Sequence, residues 1–326
     1  VQLVLEHRYA LMDTEQWRRL DRWLKVLPAD AVAQHPLLLT TRAFLALYRG
    51  EERELITAQQ QADLLLAAPS PVGMSPRQAE ELKAAQGEVA VLQGFERFYR
   101  EEAAAAMANS RKGLELLSPQ AGHIRSMAYC IIGDSFQMQG QVDQAVRTFK
   151  EALKDPTWPA VLRARMLHGL CIVHFFEGDL DGVLVAGSEC LRIGQDSRLP
   201  ESTSYGRYDL GVAHYLRNEF AQAEPYLLAL LEDQDLSTPT YLAFGAFALA
   251  MIYESRGLCS EAVQLIEAVS IYLQETAQQV AHEIARAFKV ELAIRQGKLA
   301  EARHLSKEVD FDARSPRWYF YIPQLT

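Results

Sequence analysis

The sequence predicts an all-α chain, an array of seven or eight antiparallel helix hairpins. Three observations carry this reading. A short string, Gly or Asn followed five residues later by a small or apolar residue, recurs at Gly140–Ala145, Gly178–Val183, Asn218–Ala223, Gly257–Ala262 and Gly297–Ala302, with starts 38, 40, 39 and 40 residues apart. Apolar residues on either side of the turn keep helical spacing, as in Met127, Ile131, Ile132 and Phe136 and then Ala145, Phe149 and Ala152. No segment of useful length alternates with period two.

Each element follows from this pattern. A first hairpin turns near Asp13, and weaker turns are expected at Gly50–Leu55 and Gly94–Tyr99, 44 and 46 residues from the next member. Leu64–Pro76, with three Pro and one Gly, is the most loop-like stretch; it reads either as a hinge or as a longer link between repeats. Glu101 and Glu102 open a helix whose first turn favours acids. In every clear repeat a helix of about four turns ends at the Gly or Asn, which tolerates a left-handed backbone. The small residue five positions on lets two helices approach closely. The last segment, from Ser315, reads as a cap on the final hairpin or as a truncated helix. Length alone suggests about two globular domains. The repeat replaces that with one domain over 1–326, because a solenoid lengthens without starting a second core. Its parts are N-terminal hairpins over 1–50, a main array over 77–310 and a terminal segment over 311–326.

The unit over about Ser126–Pro159 resembles a tetratricopeptide repeat through Gly133, Phe136, Gly140, Ala145, Phe149 and Ala152. Gly211 with Ala223, and Tyr253 with Ala262, repeat parts of the relation. The resemblance implies a right-handed α-superhelix of TPR-like hairpins. Residues 17–51 carry a narrower one. Trp23, Leu24, Leu27 and Pro28, then His35, Pro36 and Leu38, are similar to the start of the helical-repeat region in MalT-like, LuxR-family transcription regulators. There that region follows a winged helix. Residues 84–117 also look like that family's repeats. The family's members are STAND-type ATPases in which a repeat domain senses an inducer or an inhibitory protein. This chain departs from the whole: it has no GxxxxGK[ST] string to cradle phosphate and no terminal helix-turn-helix pattern. The resemblance therefore implies a sensor segment, with ATPase and DNA-binding modules and any oligomerisation through them lying elsewhere. A chain that begins at Val1 fits a piece of a longer protein.

Composition bounds the function. Lys+Arg is 33 and Asp+Glu 42, a net charge of −9, which suits a phosphate backbone poorly and argues against direct nucleic-acid binding. No apolar run is long enough to cross a membrane, and Glu6, His7 and Arg8 interrupt the N-terminal apolar stretch where a signal peptide would need continuity. Cys130, Cys171, Cys190 and Cys259 form no CxxC pair and no zinc spacing, so reduced, mostly buried thiols in a cytoplasmic protein are expected.

The sequence does not read as an enzyme, and it implies no metal or cofactor. There is no GxSxG elbow, and His282-Glu283 lacks the second His of HExxH. His168 and His174, six apart, fall on different helix faces. His174 and His214 each precede a turn residue by four positions, which gives them equivalent places at a helix seam or beside one another.

A binding face follows from the repeat register. The tetratricopeptide resemblance places the first helix of each pair inward, at positions two, three, six, ten and thirteen before the turn residue. For Gly178 these are Arg165, His168, Ile172, Phe175 and Phe176; for Asn218, Tyr205, Tyr208, Val212, Tyr215 and Leu216; for Gly257, Phe244, Phe247, Met251, Glu254 and Ser255. The Gly140 repeat gives Met127, Cys130, Asp134, Gln137 and Met138. The Gly297 repeat, with Ile284, Ala287, Glu291, Ile294 and Arg295, brings no aromatic residue. Seven Phe or Tyr side chains thus cluster in three adjacent repeats. They form either an aromatic-lined pocket, with Arg165, His168, Glu254 and the Tyr hydroxyls orienting a ligand, or a packed core. The function expected is sensing a small-molecule inducer or a regulatory protein in this groove; the alternative is a scaffold that binds a peptide or a partner helix.

Overall fold

The computed structural model describes residues 1–68, 73–155 and 157–309. The expected cap from Ser315, and four residues of the Leu64–Pro76 stretch, lie outside the described residues. The described chain is a succession of α-helices: α1 (Gln2–Asp13), α2 (Trp17–Lys25), α3 (Ala29–Ala33), α4 (Pro36–Arg49), α5 (Glu52–Ala67), α6 (Pro76–Tyr99), α7 (Ala103–Leu116), α8 (Gly122–Met138) and α9 (Val142–Leu153). They continue as α10 (Ala160–Glu177), α11 (Leu180–Asp196), α12 (Pro200–Leu216), α13 (Phe220–Glu232), α14 (Pro239–Ser255), α15 (Cys259–Glu275), α16 (Gln279–Arg295) and α17 (Leu299–Leu305). This is the all-α hairpin array that the period predicts. Two compact units divide it, 1–169 and 170–326, with the boundary inside α10.

The turns show why the period exists. Gly50, Gly140, Gly178, Asn218, Gly257 and Gly297 all have φ between 61° and 76°. Gly94 is different. It lies within α6, where an added Cβ would fall 2.5 Å from the Ser110 hydroxyl, so it serves close approach of α6 to α7. The left-handed residue of that hairpin is Glu101, with φ 61°. Glu101 precedes Gly140 by 39 residues, and Ala106, five further on, is wholly buried. The period therefore extends one repeat upstream, hidden because a glutamate occupies the glycine place.

In the first unit, α4 packs on α5, α6 on α7 and α8 on α9. The Phe149 ring of α9 fills a notch between Gly133 of α8 and Gly169 of α10; a Cβ at either glycine would come 2.3 or 2.4 Å from ring atoms. The N-terminal hairpins are held differently. Arg8 and Glu88, both essentially without exposure, form a bidentate ion pair across α1 and α6. Tyr9 and Thr40 donate hydroxyl hydrogen bonds to the same carboxylate, each at 2.5 Å, and Arg8 donates to Thr41 at 3.1 Å. Removing two charges from water costs several kcal/mol per ion, which these hydrogen bonds offset. Asp13, at the end of α1, accepts a 2.6 Å hydrogen bond from the His123 N–H at the start of α8. Burial pushes the Asp13 carboxyl up to about 6 despite this bond and a second from Gly122. Trp17 stacks on Tyr48 at 5.3 Å and meets His123 edge-on at 4.6 Å.

In the second unit, α12, α14 and α16 lie side by side, and α11, α13, α15 and α17 pack against them. Leu227 occupies the place beside Gly211 that Phe149 has beside Gly133, and Leu230 fits against Gly245. α14 is buried almost continuously from Leu242 to Ile252. His174 and His214 each turn to the acid just past their own turn residue, with Nδ1 2.8 Å from Asp179 and 2.6 Å from Glu219.

Candidate functional site

In the second unit most of the expected binding residues turn inward and pack on one another. Tyr208 on α12 has no exposure and stacks on Tyr241 of α14 with centroids 4.5 Å apart. Tyr205 meets Tyr241 edge-on at 5.8 Å and donates its hydroxyl to Glu201 at 2.6 Å. Phe247 stacks on Phe288 of α16 at 3.9 Å, and Phe244 meets the same ring edge-on at 5.6 Å. Phe175 and Met251 are also buried. Such ring contacts add about 0.5–1.5 kcal/mol each beyond the area they bury. Phe176, Tyr215 and Glu254 remain half-buried.

Those last residues belong to a polar end of the same helices. Burial raises the Tyr215 hydroxyl; Arg295 opposes the rise and Glu291 adds to it, which brings α16 charges into reach of α12. Glu254 accepts a hydrogen bond from Gln296 on one oxygen at 2.5 Å, and the Cys259 thiol lies 3.7 Å from the other. The face thus grades from packed rings to a rim of opposite charges.

The first unit carries Arg165, half-buried, and His168, buried, both on α10. Cys130 on α8 donates its thiol to the Arg165 carbonyl at 3.9 Å. One turn along α8, Asp134 has a covered Oδ1 without a hydrogen-bond partner, and burial pushes this carboxyl up to about 7. Burial, reinforced by Asp134, pushes the Cys130 thiol up to about 12. Burial and then the Arg165 charge keep His123 well below the usual imidazole value.

Register reasoning missed three partners. Tyr241 lies sixteen residues before Gly257, outside the five inward positions, and Phe288 lies nine before Gly297, between two of them. The Gly297 repeat therefore does bring an aromatic ring to this region. Gln296 sits next to its turn residue, outside the inward positions. A search for every aromatic within a turn of the chosen positions finds both Phe288, beside Ala287, and Tyr241, three residues before Phe244. Among the described residues, no group of three or more His, Cys, Asp or Glu side chains could hold a metal ion, and no helix is long and apolar enough to cross a membrane.

The fold and this face define a helical-repeat protein of the TPR-like class. Among solved structures, the chain is similar to the apo form of RapI, with a TM-score of 0.54 and 13% identity over 83% of this chain and 95% of that one. It is also similar to a Rap protein complexed with competence and sporulation factor, with a TM-score of 0.53 and 14% identity over 86% of this chain and 76% of that one. At such identities the likeness is one of fold. No protein-family model and no curated protein matches the chain. The resemblance to MalT-like regulators rests on residues 17–51 and 84–117 alone.

Proposed function

We propose that this chain is a protein-interaction module that binds a peptide, or an extended segment of a partner protein, along its inner helices. The observation that carries this is the graded face of the second unit. Its rings are packed into a firm floor, and Phe176, Tyr215 and Glu254 offer an aromatic and charged rim that a peptide can contact side chain by side chain. In this reading Phe175, Tyr205, Tyr208, Phe244, Phe247 and Met251 support the rim from beneath. In the first unit, Arg165 and His168 hold the corresponding register positions on α10. Likeness in fold to a Rap protein complexed with competence and sporulation factor supports a peptide ligand. Rings that pack on one another leave less room for a small molecule between them. Peptides selected from a random library on the wild-type chain test the reading. Tyr215→Ala and Glu254→Lys should each weaken their binding about tenfold or more, the range of a lost interface anchor. Unchanged affinity in both folded variants would remove this face.

One observation favours a second, finer reading. α2 carries Trp23 and Leu24 in its last turn, and α4 opens at Pro36 with His35 as its cap, as the resemblance to MalT-like regulators implies. Under it, the peptide or a small-molecule inducer would control attached ATPase and DNA-binding modules. A metabolite that raises the melting temperature of wild type but not of folded Phe244→Ala would favour it.

A further inference from the structure

A second surface lies on another face of the first unit. α7, α8 and α9 enclose an open cleft of about 340 Å³, floored by Leu114, Tyr129, Ile132 and Phe136 and bordered by Arg111 on α7 and Arg147 on α9. Its α8 residues are about a third of a turn away from Cys130, Asp134 and Gln137, so it is separate from the inner face and does not depend on the reading given for that face.

Both arginines carry their charge into the cleft. Many guanidinium groups elsewhere have acidic partners: Arg42 with Glu54, Arg97 with Glu102, Arg192 with Glu189 and Asp196, Arg217 with Asp181 and Glu219, Arg256 with Glu224. Among the described residues, neither Arg111 nor Arg147 pairs with a carboxylate. Glu151 also lines the cleft, but its carboxylate is engaged by Lys154 at 2.5 Å. Arg111 lies over the Phe136 ring at 5.7 Å, which holds its charge at the mouth of the cleft above the apolar floor. Two unneutralised guanidinium groups on opposite walls, in a chain of net charge −9, fit an incoming carboxylate. The floor fits an apolar side chain beside it. The volume is near the lower end of the ~300–1,000 Å³ range of ligand sites, enough for one large side chain and its neighbours.

We propose that this cleft docks an acidic segment of a partner protein, in which Asp or Glu flanks an aromatic or aliphatic anchor. Arg111 and Arg147 bind the carboxylates while the anchor covers Ile132 and Phe136. The test is a random peptide library selected on the wild-type chain and counter-selected on the R111E/R147E double variant. Survivors are then measured singly by fluorescence anisotropy. Both arginines are exposed, so the variant should keep its helix content by circular dichroism, and R111Q/R147Q serves the same purpose if charge reversal disturbs the fold. The expected survivors carry acids beside an apolar anchor and bind the glutamate or glutamine variant at least about tenfold more weakly, the scale of a lost charge-assisted contact. They keep most of their affinity for R111K/R147K, weaken as salt is raised, and are indifferent to Tyr215→Ala. Survivors without acidic residues, or no peptide that distinguishes wild type from the folded variants, would overturn the proposal. Survivors that depend on Tyr215 would assign the binding to the inner face instead.

Discussion

The hairpins around Asn218 and Gly257 and the hairpins at the start of the chain bury their interiors by opposite means. In the former, size complementarity does the packing: Leu227 into the space of Gly211, Leu230 against Gly245, and rings stacked between α12, α14 and α16. In the latter, α1 is fixed to α6 by a fully buried ion pair, with Tyr9 and Thr40 donating to the carboxylate and Thr41 accepting from the guanidinium. Apolar complementarity degrades gradually when one atom group is lost. A buried ion pair fails abruptly, because the surviving charge has nowhere to go. The two regions should therefore respond differently to similar truncations.

The largest effect is expected from breaking the ion pair alone. Arg8→Ala or Glu88→Ala should lower stability by about 3–5 kcal/mol in urea unfolding, and the double Arg8→Met, Glu88→Leu should recover most of that loss. A double variant as unstable as the singles would show that the pair supplies net stability, not only specificity. Next is overpacking of a repeat notch. Gly133→Ala, which drives a methyl into the Phe149 ring, should cost about 1–3 kcal/mol, and Phe149→Leu on that background should restore part of it. No recovery would mean that the glycine matters for its backbone and not for the room it leaves.

A pH-dependent effect separates the regions further. The Asp13 and Asp134 carboxyls are raised to about 6 and about 7 by burial, so the folded chain holds their protons more tightly than the unfolded chain does. Their contribution is fully present below the unfolded value near 4 and is lost as pH rises through the folded values. Melting temperature followed from pH 4 to 8 should fall with this component, and Asp13→Asn with Asp134→Asn should flatten the fall. An unchanged slope in the double variant would place the titration elsewhere. At the bottom of the scale, Arg192→Ala should leave stability unchanged although it removes two ion pairs, because both lie in solvent. A clear loss would contradict the distinction between buried and exposed pairs on which the comparison rests.

The same contrast explains what could be read from the sequence. A repeat leaves its mark where a turn needs Gly or Asn and a seam needs Ala, so the turns from Gly140 to Gly297 and the helices between them were legible. Glu101 occupies a left-handed place without advertising it, which shifted the preceding turn to Gly94. The Arg8–Glu88 pair left no local sign at all: Arg8 reads as a charge that interrupts an apolar stretch, and its partner is 80 residues away. The inward register located the aromatic region, since Tyr205, Tyr208, Phe244 and Phe247 converge there. It could not tell a lined pocket from stacked rings, because that depends on Tyr241 and Phe288, one beyond the register and one between its positions.

The long reach of α1 has a consequence for the order of assembly. Arg8 leaves the ribosome well before Glu88 is made, and Asp13 must wait for His123, 110 residues later. Contacts of such separation close late, after local hairpins have formed. α1 is thus among the last of these helices to settle. Until α6 and α8 exist, its guanidinium and its Asp13 carboxylate stay hydrated, since their partners Glu88 and His123 have yet to be made.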